Sequence, residues 1–374
     1  MRILFVAPRF HTNQIDIVKI LKKNNHKVFY LTKNKSLIED YTDLTPFIMP
    51  KSKISLILEN ILFFLKDKNF LYLASVVYFY KFININNIDT VVLRIHNRLN
   101  LYVLSIVLLF LKKKILYYDQ GNLNLDFLNK KTFLNLLKRI EFYSRLFIFR
   151  ACWYTPLNID NSNDTNKLFY IPFAINIKNH KNIHAKTFNI LSIGKFQKRK
   201  NHLLLLKSVK ILLQNYNIKL TIIGECTNKE HEKNYKILLK FIKDYKLNDC
   251  VDLFINISHK NIDNYYRKNN IFILPACNEP ASISILEAMS YGLPVICSDS
   301  CGTQSYINNQ KSGIIFKTNN LDSLTESISY LLNSNNFYKF SANSINDSRI
   351  NTSPEIFYEK FLNMINKVFK TKEI

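Results

Sequence analysis

The chain lacks the features that would assign it to the membrane, to the cell exterior or to a zinc-binding class. Its longest apolar stretch, residues 101–111, is interrupted by Ser105 and has about half the length that a membrane-spanning helix needs. A buried helix and a helix lying in the membrane interface both fit this stretch. The first residues are typical of a strand rather than of a signal peptide, so we expect no secretion. The six cysteines form no CxxC pair and no Cys/His ligand spacing, which favours reduced thiols over a zinc site.

Acidic residues are also few. The chain has 28 Asp and Glu against 52 Lys and Arg, which gives a formal net charge of +24. Because the surplus is spread over both halves and no nucleic-acid-binding module is recognisable, we expect no nucleic acid partner. Two explanations of the charge remain open, namely a compositional bias toward Lys, Asn, Ile, Phe and Tyr, and attraction to an anionic membrane surface.

What is present fits two α/β domains. A length of 374 residues and a hydrophobic content of 47% suffice for two cores. The chain begins with the order strand, helix, strand, and this order restarts in the second half, which predicts parallel sheets covered by helices on both faces. We predict a first domain over residues 1–175, a linker over 176–186, a second domain over 187–355 and a last helix within 356–374.

The most informative stretch is NEPASISILEAMSYGLPVICSD, residues 278–299. It follows an apolar run typical of a buried strand, and it carries Glu279 and Glu287 with seven residues between them. Ser282 is a suitable N-cap, and Gly292 marks the end of a short helix before a second buried strand. The loop and the first helical turn offer free N–H groups to a diphosphate, and carboxylates accept hydrogen bonds from sugar hydroxyls. The pattern therefore indicates a nucleotide-sugar site, with a capped helix bearing two surface glutamates as the alternative.

The whole string resembles the signature of the retaining glycosyltransferases of family 4, of the bacterial surface-polysaccharide type, which have the GT-B fold. The matching residues are Glu279, Glu287, Ala288, Gly292, Pro294 and Val295. The family usually has Phe and Gly where this chain has Ala281 and Ser282. A second match lies after a predicted strand over residues 188–193. Gly194, Lys195 and Lys200 stand there at the family's Gly, basic residue and Lys, with Asn201 where Gly is usual.

The resemblance implies a GT-B fold, in which two doubly wound, Rossmann-like domains face a central cleft and the last helix packs back on the first domain. It implies that Glu279 orients the donor sugar, that Glu287 binds the ribose, and that Lys195 and Lys200 bind the diphosphate. The other positions that it assigns to donor binding are Gly194, Ala281, Ser282 and Ile283.

In the first domain, His96 and Asp119 each follow a predicted strand, where ligands of open parallel sheets gather. By resemblance, one residue of this region contacts the donor sugar, and both are catalytic candidates. Asp119 is the better one because it follows the second of the two strands, as the family's residue does. A packed histidine and a turn-forming aspartate are the alternatives.

The function implied by the resemblance is transfer of a sugar with retention, from a UDP- or GDP-sugar donor to a glycan or lipid-linked acceptor in cell-surface polysaccharide biosynthesis. We expect no cofactor and no metal, and no DxD-like pair is placed to hold one. Such an enzyme is expected in the cytoplasm, or peripherally on the inner face of the cytoplasmic membrane. The alternative is a catalytically degenerate GT-B protein that binds a nucleotide or a glycan for a partner, and Ala281, Ser282 and Asn201 motivate it.

Overall fold

The structure is a computed structural model. It describes residues 1–11, 14–35, 39–61, 73–94, 98–120, 132–157, 167–178, 187–332 and 334–369. The chain folds into two compact units, which are Met1–Ile171 with Phe357–Ile374 (unit 1) and Pro172–Ile356 (unit 2). Most of the predicted linker, residues 179–186, lies outside the described residues.

Unit 1 is built on a parallel sheet. Its described strands are β1 (Arg2–Arg9), β2 (Lys27–Asn34), β3 (Phe47–Ile48), β4 (Thr90–Arg94), β5 (Lys114–Tyr118), β6 (Cys152–Thr155) and β7 (Leu168–Tyr170), in the order β3-β2-β1-β4-β5-β6-β7. The central strands are continuous apolar runs because helices cover both faces of the sheet.

The described helices of unit 1 are α1 (Ile15–Lys23), α2 (Lys53–Ile61), α3 (Val76–Ile85), α4 (Arg98–Phe110), α5 (Phe133–Phe147) and most of α12 (Pro354–Phe369). They bury apolar sides against the sheet, except α2, whose residues Ile54, Leu56 and Ile57 are exposed. The inner sides of α3, α4 and α5 share one buried cluster with alternate strand residues such as Leu93 and Tyr117. On the other face, Tyr154 of β6 contacts Phe361 of α12, with 6.1 Å between the ring centroids.

Unit 2 repeats this architecture. Its strands are β8 (Phe188–Ile193), β9 (Ile218–Gly224), β10 (Val251–Ile255), β11 (Ile271–Leu274), β12 (Val295–Ser298) and β13 (Gly313–Phe316), in the order β10-β9-β8-β11-β12-β13. Its helices are α6 (His202–Leu212), α7 (Lys229–Asp244), α8 (His259–Lys268), α9 (Ile283–Ser290), α10 (Leu321–Leu332) and α11 (Ser334–Thr352). The predicted order of strand, loop, helix and strand around residues 278–299 is confirmed as β11, α9 and β12.

Helix α11 has no counterpart among the predicted helices, because its sequence is rich in Ser and Asn and has a weak apolar period. Two of its serines bind backbone oxygens beyond α9. Ser341 Oγ donates to the Gly292 carbonyl oxygen at 2.6 Å, and Ser344 Oγ donates to that of Leu293 at 2.7 Å. Small polar side chains thus let this helix approach the end of α9 closely.

In each sheet the strand order reverses at one point, so that the chain connections on the two sides of this point run in opposite directions. In unit 1 it lies between β1 and β4, and in unit 2 it lies between β8 and β11. The carboxyl ends of these strand pairs are called the unit 1 switch point and the unit 2 switch point. Ligands of open α/β sheets bind at such positions, because the loops diverge there and leave a crevice.

Candidate functional site

The turn after β8 forms one side of the unit 2 switch point. A Cβ atom on Gly194 would lie 3.2 Å from Lys200 Cδ, so the absent side chain leaves room for the stem of that lysine. Lys200 ends a short 3₁₀ turn, and only 7% of it is exposed. The next residue, Asn201, has a φ of 54°, in the left-handed region that Asn tolerates better than most other residues. Asparagine thus supplies the conformation for which the resembling family uses glycine.

A buried ion pair joins this turn to the loop after β11. Lys200 Nζ lies 2.7 Å from Glu279 Oε2, and Arg199 donates a hydrogen bond to the same carboxylate oxygen. The Cys277 backbone N–H donates to the Arg199 carbonyl oxygen at 2.6 Å, which holds the two loops together. Burial lowers the pKa of Lys200, whereas attraction to Glu279 acts in the opposite direction. The structure therefore brings together two predicted site residues that are distant in sequence.

Lys195, in the same turn, is held by a carboxylate that was not predicted. Its Nζ lies 3.0 Å from Glu225 Oε2 and 3.1 Å from Glu225 Oε1. The Thr227 hydroxyl donates to Glu225 Oε1 at 3.1 Å, so the carboxylate is itself oriented. Glu225 directly follows β9, and this position at the carboxyl end of a strand was the available sequence signal.

The start of α9 lies beside this turn. Ser284 Oγ donates to the carbonyl oxygen of Ile193, the last residue of β8, at 3.3 Å. Ser282 holds the N-cap position as predicted, but its side chain makes no capping bond, because its hydroxyl pairs with Ser284 Oγ at 2.9 Å. Ala281 precedes the cap, and Ile283 is the first helical residue. The first turn of α9 therefore offers its N–H groups without a side-chain cap.

Glu287 lies one turn further along α9 and is half-buried. The Tyr266 hydroxyl donates to its Oε2 at 2.8 Å, and His259 Nε2 lies 3.4 Å from its Oε1. Burial by itself raises the pKa of Glu287. The hydrogen bond and the charge of His259, together with the hydrogen bond from Tyr266, outweigh burial and lower this pKa overall. The carboxyl group is therefore an ionised hydrogen-bond acceptor. Both partners belong to α8, a segment in which the sequence indicated no functional residue.

His202 begins α6 directly after this turn and is buried. Burial, with a contribution from the nearby Lys200 charge, lowers its pKa to about 3. Among the described residues, its Nε2 has no hydrogen-bond partner. The imidazole is therefore neutral at physiological pH and belongs to the framework under the turn.

In unit 1, the two predicted residues have different outcomes. His96 lies outside the described residues. Asp119 follows β5, as predicted, and its backbone N–H donates to the Tyr154 carbonyl oxygen at 3.1 Å. Its assignment to the donor sugar stays a prediction.

A polar cluster that was not predicted occupies the unit 1 switch point. Arg94, the last residue of β4, donates a hydrogen bond to the side-chain oxygen of Gln120. Arg9, the last residue of β1, donates from Nε to His11 Nε2 at 3.2 Å, and His11 Nδ1 lies 3.5 Å from Glu39 Oε1. Burial lowers the pKa of His11, the two arginines lower it further, and Glu39 opposes them. The neutral imidazole thus accepts from Arg9 and faces Glu39 with its other nitrogen.

All six cysteines are free. In the described ranges, no group of three or more His, Cys, Asp or Glu side chains could hold a metal ion. No helix in the same ranges has both the length and the apolar composition needed to cross a membrane.

The sequence of unit 2 is similar to a known family. Residues 174–348, just under half of the chain, match the glycosyl transferases group 1. A human GDP-Man:Man(3)GlcNAc(2)-PP-Dol alpha-1,2-mannosyltransferase is 24% identical over 274 residues, which are 66% of this chain and 56% of the relative. A UDP-Gal:alpha-D-GlcNAc-diphosphoundecaprenol alpha-1,3-galactosyltransferase of Escherichia coli is 25% identical over 151 residues, which are 39% and 37%. The chain thus spans between about a third and just over half of these relatives' length.

The fold is similar to a solved structure over its whole length. A glycosyltransferase from Rickettsia africae superposes with a TM-score of 0.77 at 17% identity, and the match covers 99% of both chains. This likeness and the two Rossmann-like parallel sheets confirm the predicted GT-B fold. Together with the family match, they support a glycosyltransferase.

Proposed function

We propose that the protein is a retaining glycosyltransferase of the family 4 type, which moves a sugar from a UDP- or GDP-sugar to a glycan or lipid-linked acceptor in cell-surface polysaccharide biosynthesis. The observation that carries this proposal is the buried Lys200–Glu279 pair at the unit 2 switch point, beside the uncapped start of α9. Cations, free N–H groups and carboxylates meet there, and a nucleotide sugar needs all three.

When the donor binds, its diphosphate replaces Glu279 as the partner of Lys200 and Glu225 as the partner of Lys195. Lys200 and Lys195 are already positioned by these carboxylates, so little ordering remains when the ligand arrives. As the bond between sugar and diphosphate breaks, negative charge grows on the leaving group. The lysines and the first N–H groups of α9 stabilise that charge, and this arrangement needs no metal ion.

Arg199 adds a third cation to this set. It was not predicted, yet it donates to Glu279 beside Lys200, and about 40% of its side chain is exposed. The resembling family usually has arginine where this chain has Lys195. Because a lysine is a point charge, Arg199 supplies the bidentate fork that Lys195 lacks.

The two glutamates bind hydroxyl groups of the donor. Glu279, once the diphosphate has taken over its cations, accepts from hydroxyls of the sugar. Glu287 accepts from the ribose hydroxyls with the lone pairs that Tyr266 and His259 leave unused. Ionised carboxylates are the stronger acceptors, and the lowered pKa of Glu287 keeps it in that form.

The proposed acceptor class is supported by the substrates of two relatives. The human and E. coli enzymes act on PP-Dol-linked and diphosphoundecaprenol-linked glycans. We extend this class to the present chain, with the arginines of the unit 1 switch point, Arg9 and Arg94, as contacts for the diphosphate of the carrier. A lipid-linked acceptor also places the protein peripherally on the inner face of the cytoplasmic membrane.

Calorimetric titration with UDP, GDP and their common sugar conjugates tests the proposal. Saturable binding of one nucleotide class is expected, with loss of binding in Glu287→Ala and wild-type affinity in Lys198→Ala, an exposed neighbour on the 3₁₀ turn. A folded wild-type protein that binds none of them contradicts the proposal. Binding without sugar transfer to any lipid-linked glycan favours the degenerate GT-B protein instead.

A further inference from the structure

Exposed apolar side chains are concentrated on three neighbouring helices of unit 1. On α3, α4 and α5 they are Val76, Val77, Tyr80, Ile85, Leu99, Ile106, Leu109, Phe110, Leu136, Leu137, Ile140, Tyr143 and Phe147, and in β3 and α2 the residues Phe47, Ile48, Ile54, Leu56 and Ile57 are exposed as well. The solvent-facing sides of these three helices are called the outer face. In unit 2, the exposed large apolar residues are scattered over several elements, and they are Ile211, Ile237, Leu239, Tyr245, Ile255, Tyr330, Tyr338 and Ile350.

The outer face is one continuous layer. The inner sides of α3, α4 and α5 pack into the same buried cluster on one face of the sheet, so their outer sides point the same way. The Ala74 N–H, just before α3, donates to Asn100 Oδ1 of α4 at 2.8 Å. Tyr102 of α4 lies 3.3 Å from Ser144 of α5, hydroxyl to hydroxyl. These contacts keep the three helices side by side.

An apolar groove runs between α3 and α4. It has a volume of about 270 Å³, and its lining residues are Val76, Val77, Tyr80, Val107, Phe110 and Leu111. Phe110 is 82% exposed and Val77 is 65% exposed, so the groove is bordered by side chains that stand out from the surface. Soluble monomers rarely expose a continuous apolar patch of this kind, and such a patch marks a docking site.

The charge around the outer face identifies what docks there. Lys81, Lys112 and Lys138 are exposed on these helices or at their ends. The only acidic residue in the sequence of the three helices is Glu141, and it is paired with Arg145. A second copy of a chain with a net charge of +24 is repelled by such a face, whereas an anionic surface is attracted.

We propose that the outer face docks on an anionic lipid bilayer, with Val77 and Phe110 inserted among the acyl chains and the lysines at the level of the headgroups. Interfacial helices bind in this way, with the apolar side buried at the boundary of headgroups and acyl chains and the cations around it. The inference deepens the proposed function, on which it rests for the lipid-linked acceptor, by naming the surface that meets the membrane.

Flotation of the full chain with vesicles tests this. One set of vesicles contains equal amounts of phosphatidylglycerol and phosphatidylcholine, and the other contains phosphatidylcholine alone. The variants are Val77→Ser with Phe110→Ser, Lys112→Ala with Lys138→Ala, and the control Ile350→Ser in unit 2, where Ile350 is 57% exposed. Because all these side chains are on the surface, each variant is expected to keep the wild-type melting temperature.

The wild type is expected to float with the mixed vesicles. The variant Val77→Ser with Phe110→Ser loses two inserted side chains, which lowers the membrane partition coefficient by at least about tenfold on both sets of vesicles. Loss of the two lysines lowers it by about fivefold per lysine on the mixed vesicles only. The Ile350→Ser control floats like the wild type.

Absence of wild-type flotation with the mixed vesicles overturns the inference, and so does wild-type flotation of Val77→Ser with Phe110→Ser. An equal loss in the Ile350→Ser control overturns it as well, because the effect is then not specific to the outer face. Nucleotide titration in solution needs no vesicles, so failure of the proposed donor site and failure of the membrane face give separate results.

Discussion

The two switch points hold different kinds of polar site. In unit 2, Lys200 and Lys195 each face a carboxylate, from Glu279 and Glu225. In unit 1, Arg94 donates to the neutral amide of Gln120, and Arg9 donates to a neutral imidazole. Both sites lie at the carboxyl ends of the two strands where the sheet order reverses, so the fold alone explains their position.

The difference lies in what a ligand must do to bind. At the unit 2 switch point an anion must replace a carboxylate at each lysine, which favours a ligand that also carries hydroxyls for the displaced Glu279. At the unit 1 switch point an anion meets arginines whose charge is not neutralised by their hydrogen-bond partners. In the proposed scheme, the chemistry of unit 2 therefore suits a nucleotide sugar, and that of unit 1 suits the diphosphate of a carrier lipid.

The comparison depends on an intact framework in unit 2, and the largest expected effect tests that framework. Leu286 is fully buried on α9, so Leu286→Ala is expected to destabilise unit 2 by about 2 to 5 kcal/mol through the cavity that it leaves. Denaturant unfolding measures the change. Leu239→Ala, at an exposed position of α7, is the control and should change the free energy of unfolding by less than about 0.5 kcal/mol. Equal effects of the two substitutions would contradict the packing described for α9.

The second effect concerns pH. The folded-state pKa of His202 is about 3, below its ordinary value of 6.5, so folding favours the neutral ring. Between pH 6.5 and pH 3 only the unfolded state binds the proton, so stability falls by about 1.4 kcal/mol for each pH unit below 6.5. His202→Leu is therefore expected to lose about 3 kcal/mol less stability than the wild type between pH 6.5 and 4. Denaturant unfolding at both pH values checks this, and parallel losses in the two proteins would show that His202 is not buried as a neutral group.

A smaller effect separates the two switch points. Arg94→Gln removes a cation from unit 1 and is expected to raise the KM for a diphosphate-linked lipid acceptor by about tenfold, the size of one hydrogen bond to a charged group. Affinity for the donor nucleotide should stay within about twofold of the wild type, because no donor group contacts unit 1 at Arg94 in the proposed scheme. A parallel loss of donor affinity would contradict the division of roles between the switch points.

The smallest effect tests the departure from the family pattern at Asn201. Because its φ is 54°, Asn201→Ala is expected to cost about 1 kcal/mol, whereas Asn201→Gly should be close to neutral. Thermal unfolding measures both variants. A loss in the glycine variant as large as that in the alanine variant would show that the side-chain bond from Asn201 to Asn319, at 3.0 Å, which both variants remove, matters more than the backbone conformation.

Sequence patterns predicted the parts of the fold that depend on neighbours in the chain. The strand, loop, helix and strand around Glu279 are encoded by one apolar run, a polar loop, a short helical segment and a stop at Gly292. The amphipathic helices of unit 1 follow from their apolar period in the same way. Helix α11 was missed because serines rather than apolar residues contact Gly292 and Leu293.

The missed site residues depend on contacts that no local pattern encodes. Arg9 and Arg94 lie at the same edge of the sheet only because β1 and β4 are neighbours in it, although 84 residues lie between them in the sequence. Tyr266 and His259 reach Glu287 from a different helix. The resemblance to a family supplied Lys200 and Glu279, but their direct pairing required the sheet order of unit 2.

The most direct test of the central claim is a calorimetric titration of Lys200→Ala with the nucleoside diphosphate that the wild type binds. The account predicts an affinity lower by about 10- to 150-fold, the range for hydrogen bonds to charged groups, while the exposed neighbour variant Lys198→Ala binds like the wild type. Wild-type affinity in a folded Lys200→Ala protein would contradict the assignment of the unit 2 switch point as the donor site.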